Sequence, residues 1–166
     1  MKEIYFYIRE EEYGWMSNFE RSEQVVDSLR YETNEHYYQS QKPYIYSMRE
    51  WIRNAPSAYA AMCAGRSLRQ HEIRENWDIY YKFEIMQRGL FAKFIQNKEL
   101  GKKLLETGDA IIHEANPKDM TWGMNGKDML GKMLMNTRDM LEENTRGIDI
   151  DNYDEFMKYY KRLKVD

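Results

Sequence analysis

Apolar positions along this chain change period several times, and each change marks an element. In "KEIYFYIRE", Ile4, Phe6 and Ile8 alternate with Tyr5 and Tyr7, the period-two pattern of a short strand. "EYGWMSNF" breaks every regular period at Gly14, Ser17 and Asn18 and reads as a turn or pocket loop. "QVVDSLRY" predicts a tight hairpin that bends at Asp27 and Ser28, and these pieces make one small sheet at most.

From Thr33 the pattern turns helical, with Thr33 as N-cap and Pro43 as stop. Ser47 and Glu50 match a capping box that opens a second helix, "MREWIRN". Pro56 suits the first turn of a third, "PSAYAAMCA", and Gly65 is the expected left-handed stop. The longest periodic stretch places Ile79, Phe83, Met86, Leu90 and Phe94 on one stripe of a central buried helix. Gly89 inside it implies close packing against another backbone. "ELGKKLLET" forms a short helix closed by Gly108, and "DAIIHE" is a strand leading into the loop "ANPKDMTWGMNGK". Leu130, Leu134, Thr137 and Leu141 define the next helix, and Tyr153, Phe156, Tyr160 and Leu163 the last. The sum is a predominantly α-helical α+β domain with a small N-terminal β-sheet, free of repeats and linkers.

Composition narrows the class. A chain of 166 residues with 42% hydrophobic content fits one domain with a sizeable core. Cys63 is the only cysteine, which rules out a disulfide framework and implies a reducing, cytoplasmic setting. No apolar run approaches a membrane span, and the N-terminal stretch lacks a secretory signal, so export and membrane insertion are not expected. A net charge of -3 argues against extensive contact with duplex nucleic acid, but leaves room for a small anionic ligand held by a few arginines. The 14 tyrosines and 4 tryptophans suit a stacking surface as well as an ordinary core.

The chain has no Walker loop, dinucleotide fingerprint, HExxH or nucleophile elbow. His36, His71 and His113 lie too far apart for a short-spaced metal site, so neither a metal nor a cofactor is expected. What remains is a set of carboxylates near tryptophans: Glu35 beside His36, Asp119 three before Trp122, and Trp77 at the head of the long helix. A carboxyl packed against an indole loses solvation and can hold its proton long enough to act as an acid. An indole face also stacks a heteroaromatic base. The pairing suits cleavage of a ribosyl C1′–N bond, whose cationic transition state a carboxylate steadies. A helix start next to an ordinary aromatic loop fits the same spacing.

These same stretches resemble the NADAR family of YbiA-like N-glycosidases. "YGWMSNF" is similar to that family's G-x-x-S-N-F stretch and "TNEHYYQSQKP" to its T-x-E-H-x-Y-Q-x-x-K-F signature. "AGRS", "RENWD", "DMTWG" and "LGKMLMNTRD" resemble further elements in the same order, from about Phe6 to Leu141. The resemblance implies Glu35 and Asp119 as the acidic pair and Trp77 and Trp122 as brackets for the base or sugar. It places Ser17, Asn18, His36, Gln39 and the Gly123 of "DMTWG" around the ligand and Arg66 against a phosphate. It implies a substrate that is a small ribosyl nucleotide or an ADP-ribosylated base, with at most transient contact to nucleic acid. One branch of the family acts on phosphoribosylated aminouracil intermediates of riboflavin synthesis, and the other removes ADP-ribose from guanine. A non-catalytic ADP-ribose-binding module is the rival, as is an interaction protein built on the tail helix. Pro43 stands where the family has Phe, Asp128 where Asn is common, and the loop after Trp122 is short. Residues 1–143 are therefore expected to form the glycosidase domain and 144–166 a helical extension packed on it. Oligomeric state stays open.

Overall fold

The computed structural model of the chain describes residues 1–143 and 149–160. Strand β1 (Glu3–Phe6) lies parallel to β4 (Ile111–Glu114), with Phe6 opposite Glu114. Ile4, Phe6, Ile112 and Glu114 occupy the buried face. Strands β2 (Gln24–Val26) and β3 (Leu29–Tyr31) form a separate antiparallel hairpin. Its two turn residues, Asp27 and Ser28, both take positive φ, 51° and 64°, as a two-residue hairpin with matched twist requires.

The expected single sheet is thus two sheets. Local periodicity finds each strand but not its partner, and β1 finds its partner most of a chain length away.

Helix α1 (Asn34–Ser40) sits in the middle, with all seven of its residues buried. Thr33 caps it as expected, its Oγ1 accepting from the His36 N–H at 3.2 Å. Beyond the helix, Pro43 bridges to Ile73.

Helix α2 (Tyr46–Arg53) begins two residues earlier than expected. Ser47 therefore lies inside the first turn, no side chain caps the helix, and Glu50 instead pairs with Arg53 at 2.6 Å. Helix α3 (Ala58–Arg66) is capped by Ser57, which leaves Pro56 just outside.

Gly65 is not a left-handed stop. It is a buried helical residue, and a Cβ there would stand 1.9 Å from Gln39 Oε1.

A π-helical turn, Trp77–Tyr81, leads into α4 (Lys82–Gln96). Phe83, Met86, Leu90 and Phe94 form the expected buried stripe, but Ile79 is 71% exposed. The wider turn breaks the 3.6-residue register, so Ile79 rotates off the stripe. Gly89 is a close-packing site, though against side chains: a Cβ would lie 2.1 Å from Asn34 Oδ1 and 2.6 Å from the Tyr37 ring.

Helix α5 (Lys98–Leu105) is followed by Gly108 at φ +60°, and α6 (Met129–Glu143) follows the long loop. Helix α7 (Tyr153–Tyr160) buries Phe156 and hydrogen-bonds Glu84 through the Tyr153 hydroxyl at 2.7 Å. Leu163 lies outside the described residues. Arg88 joins the hairpin turn to the C-terminal segment, with paired bonds to Asp27 at 2.7 and 2.8 Å and bonds to the Ile150 carbonyl at 2.9 and 3.1 Å.

Candidate active site

Glu35 and Gln39 stand one turn apart on α1 and face a cleft of about 790 Å³. Gln39 Nε2 donates to Glu35 Oε1 at 2.7 Å. Glu35 is only 7% exposed, and that loss of solvation pushes its pKa up. The Gln39 bond and the charges of Lys42 and Arg66 act in the opposite sense, whereas the negative charge of Asp119 adds to the rise.

The Ser17–Asn18 loop forms the next part of the wall, because Asn18 accepts the Glu35 N–H on its carbonyl at 3.0 Å. Its side-chain oxygen accepts from Asn34 Nδ2 at 2.8 Å, and its amide nitrogen lies 3.4 Å from Met86 Sδ. Beneath the loop, Lys93 is fully buried and donates to the carbonyls of Trp15 and Ser17, both at 2.8 Å. Burial brings its pKa down to about 7.

The opposite wall comes from the end of β4 and the loop after it. Asp119 lines the cleft, and its Oδ1 accepts the N–H groups of Thr121 and Trp122 at 3.0 and 2.8 Å. These bonds fix the carboxylate on its loop. Trp122 also lines the cleft, packed edge-on to Tyr38 at 5.7 Å and tilted against Phe83 at 5.6 Å. Lys42, from just beyond α1, and Arg66, from α3, bring positive charge to the same space, and the Lys42 ammonium sits 5.6 Å from the centre of the Tyr38 ring.

Ser17, Asn18, Glu35, Gln39, Arg66, Asp119 and Trp122 are therefore gathered in one cleft. Three expected ligand contacts lie behind it. His36 is completely buried, its Nδ1 2.8 Å from Thr33 Oγ1 and its Nε2 3.0 Å from the Ala55 carbonyl. A carbonyl only accepts, so Nε2 carries the proton and Nδ1 accepts from the threonine hydroxyl. His36 ties α1 to the segment before α3, a role its neighbour Glu35 does not share. Trp77 is 3% exposed and supports Tyr38 from behind at 5.4 Å. Gly123 shapes the loop: its N–H bonds the Asp119 carbonyl at 3.0 Å, and a Cβ would meet the Asn116 and Asp119 carbonyls at 2.6 Å.

Sequence reasoning missed Glu114, Lys42, Met62 and Met86 as lining residues. A signal for Glu114 existed. Strand alternation puts it on the face of Ile112, which makes it a carboxyl on an apolar face. Among the described residues, no three His, Cys, Asp or Glu side chains are grouped so as to hold a metal ion, and no helix is long and apolar enough to cross a membrane.

A helix-borne acid, Glu35, and a loop-borne acid, Asp119, thus line one cleft together with the indole of Trp122. The chain matches the NADAR domain over residues 5–142 and belongs to that family. It is 38% identical over 142 residues to the N-glycosidase YbiA of Escherichia coli (strain K12), spanning 83% of this chain and 88% of that one. An N-glycosidase of Nostoc punctiforme is 35% identical over 145 residues, covering 82% of this chain and 90% of the relative. A riboflavin biosynthesis protein of Vibrio vulnificus is 34% identical over 144 residues, but the match spans 84% of this chain and only 39% of that longer protein. The NMR structure of E. coli YbiA superimposes with a TM-score of 0.78 at 37% identity, over 86% of each chain.

Proposed function

We propose that this chain, an N-glycosidase of the NADAR family, hydrolyses the bond between C1′ of a phosphorylated ribose and the nitrogen of a base or base-like amine. The observation that carries this reading is the meeting of Glu35 and Asp119 in one cleft with Trp122 beside them. As the C1′–N bond lengthens, positive charge grows on the ribose, and the Asp119 carboxylate, held by two backbone N–H groups, is oriented to steady it. Glu35 has a raised proton affinity and takes a proton from the water that attacks C1′. Trp122 offers a face to the base, and Lys42 and Arg66 supply charge for a phosphate.

The substrate class under this proposal is a phosphoribosylated aminouracil of riboflavin synthesis or ADP-ribose on guanine. The riboflavin biosynthesis protein of Vibrio vulnificus among the relatives supports the first; the size of the cleft accommodates either. A small ribosyl substrate in the cytoplasm fits the lone, exposed Cys63. We further infer that residues 1–143 form the glycosidase domain and 144–166 an extension packed on it. The family match ending at 142 and the burial of Phe156 support that division.

The test is incubation of the protein and its Glu35→Gln variant with both substrate classes, with products identified by mass. Free base and the matching ribose phosphate or ADP-ribose are expected from the wild type alone. Tight binding of ADP-ribose without release of base by either protein would overturn the reading in favour of a nucleotide-binding module.

A further inference from the structure

We propose that Glu114 is a third catalytic carboxyl of this cleft, the acid that protonates the departing nitrogen. The inference rests on the N-glycosidase reading above, which leaves that proton without a donor. Glu114 lines the cleft yet is only 7% exposed, and its Oε2 is buried with no hydrogen-bond partner. Buried polar atoms left unpaired are uncommon because the lost hydration is not replaced. Glu114 is therefore a carboxyl of the cleft wall with one oxygen enclosed and unpaired behind it, a setting that disfavours the charged form.

The backbone holds this carboxyl in place. The Glu114 N–H bonds Asp128 Oδ1 at 3.2 Å, and its carbonyl accepts the Met124 N–H at 2.7 Å. On the side facing the loop, its Oε2 lies 3.0 Å from where a Cβ on Gly123 would stand, so the glycine makes room for it. Phe6 of β1 is its register partner, and Leu130 of α6 lines the same cleft; neither side chain can offer a hydrogen bond.

Charge around it favours the protonated form. Burial pushes its pKa up to about 7, the negative charges of Asp119 and Asp128 add to the rise, and a hydrogen bond from the Asn116 backbone opposes it. Lys118 stands beside Asp119 on the same loop, while Arg9 and Glu10 come from the segment after β1. Across the cleft stand Glu35, Lys42 and Arg66.

Three carboxyls then divide one hydrolysis. The C1′–N bond breaks, its electron pair goes to nitrogen, and nitrogen takes the Glu114 proton. Water forms the new C1′–O bond and gives its proton to Glu35, while Asp119 keeps its charge throughout. Glu114 recovers a proton and Glu35 sheds one to solvent before the next turnover, so atoms and charge balance.

Glu114→Gln tests this, since it keeps the size and removes the transferable proton. The expected loss in kcat is about 10²-fold or more, with KM within threefold. Because the acid must be protonated, wild-type kcat/KM should carry an alkaline limb near pH 7 that is absent from the variant. Carbon-13 titration of glutamate-labelled protein should show one carboxyl titrating near neutrality that is missing from Glu114→Gln. Should that variant fail to fold, Glu114→Asp removes the same signal. A Glu114 carboxyl titrating in the ordinary range near 4 overturns the proposal, as does an alkaline limb unchanged in Glu114→Gln. A wild type that titrates as expected but releases no base overturns the glycosidase reading instead, and this role with it.

Discussion

On the α1 wall, the side chains of Thr33, Asn34, Glu35 and His36 are each tied to a partner inside the fold. On the β4 wall, Glu114 keeps an oxygen bare and Asp119 is tied only to the backbone of its own loop. The difference shows where the cleft gets its rigidity and where it keeps its unspent charge. In a helix with every residue buried most polar side chains find partners inside the fold, Gln39 Oε1 being an exception, and the bond from Gln39 Nε2 holds Glu35 in one place. The loop wall is nearer solvent and carries acids that are free to engage a ligand. One wall is a frame and the other a working surface, except that Glu35 belongs to the frame and still faces the cleft.

The largest break in that comparison is Glu35→Gln. Turnover should fall about 10³-fold, because the amide cannot take a proton from water. Stability should move the other way. Burial raises the folded pKa of Glu35 above its unfolded value, so its contribution to stability is present at low pH and declines as pH rises through the folded pKa. The variant should therefore melt above the wild type at pH 8, with the gap closing as pH falls toward 4. Calorimetry at the two pH values checks the sign.

Asp119→Asn is expected to be next, at about 10²-fold in kcat, since it removes the fixed charge facing the developing cation. Asparagine keeps a side-chain oxygen for the Thr121 and Trp122 N–H groups, so the loop should stay formed. Unchanged turnover with an unchanged melting temperature would remove Asp119 from the reaction and leave the working surface to Glu114.

The frame can be tested from behind the cleft. Gly89→Ala would push a Cβ to 2.1 Å from Asn34 Oδ1, an atom that accepts from Gln24 at 3.1 Å and belongs to the amide that orients Asn18. Overpacking here costs about 3 kcal/mol, and alanine's better helix propensity returns about 1 kcal/mol. The net loss of about 2 kcal/mol should appear in chemical denaturation.

How much of this was legible in the sequence follows the same division. The α1 wall was legible because its signals are local: a Thr33 cap, a polar stretch and a proline stop. What local reading could not tell was which polar residue of a wholly buried helix faces the cleft. His36 and Trp77 carry as much chemistry on paper as their neighbours, but the partners that claim them lie in other elements. The β4 wall hid Glu114 for a related reason, since only the parallel pairing with β1 shows that its face of the strand is covered. Ile79 was misplaced because a π-helical turn leaves no periodic trace. Gly65 and Gly89 serve contacts across helices, which no sequence window contains.

The smallest effect separates the walls most cleanly, because each acts on Glu35 with its own sign. Gln39 donates to the Glu35 carboxylate and so favours its charged form, whereas the negative charge of Asp119 disfavours it. If ionised Glu35 is the base, the acid limb of kcat/KM reports its pKa. Gln39→Met should move that limb to higher pH and leave the plateau nearly unchanged. Asp119→Asn should lower the plateau and move the limb the opposite way. A merely structural role for Gln39 would depress the rate at every pH, and two limbs moving together would mean that the group being titrated is not Glu35.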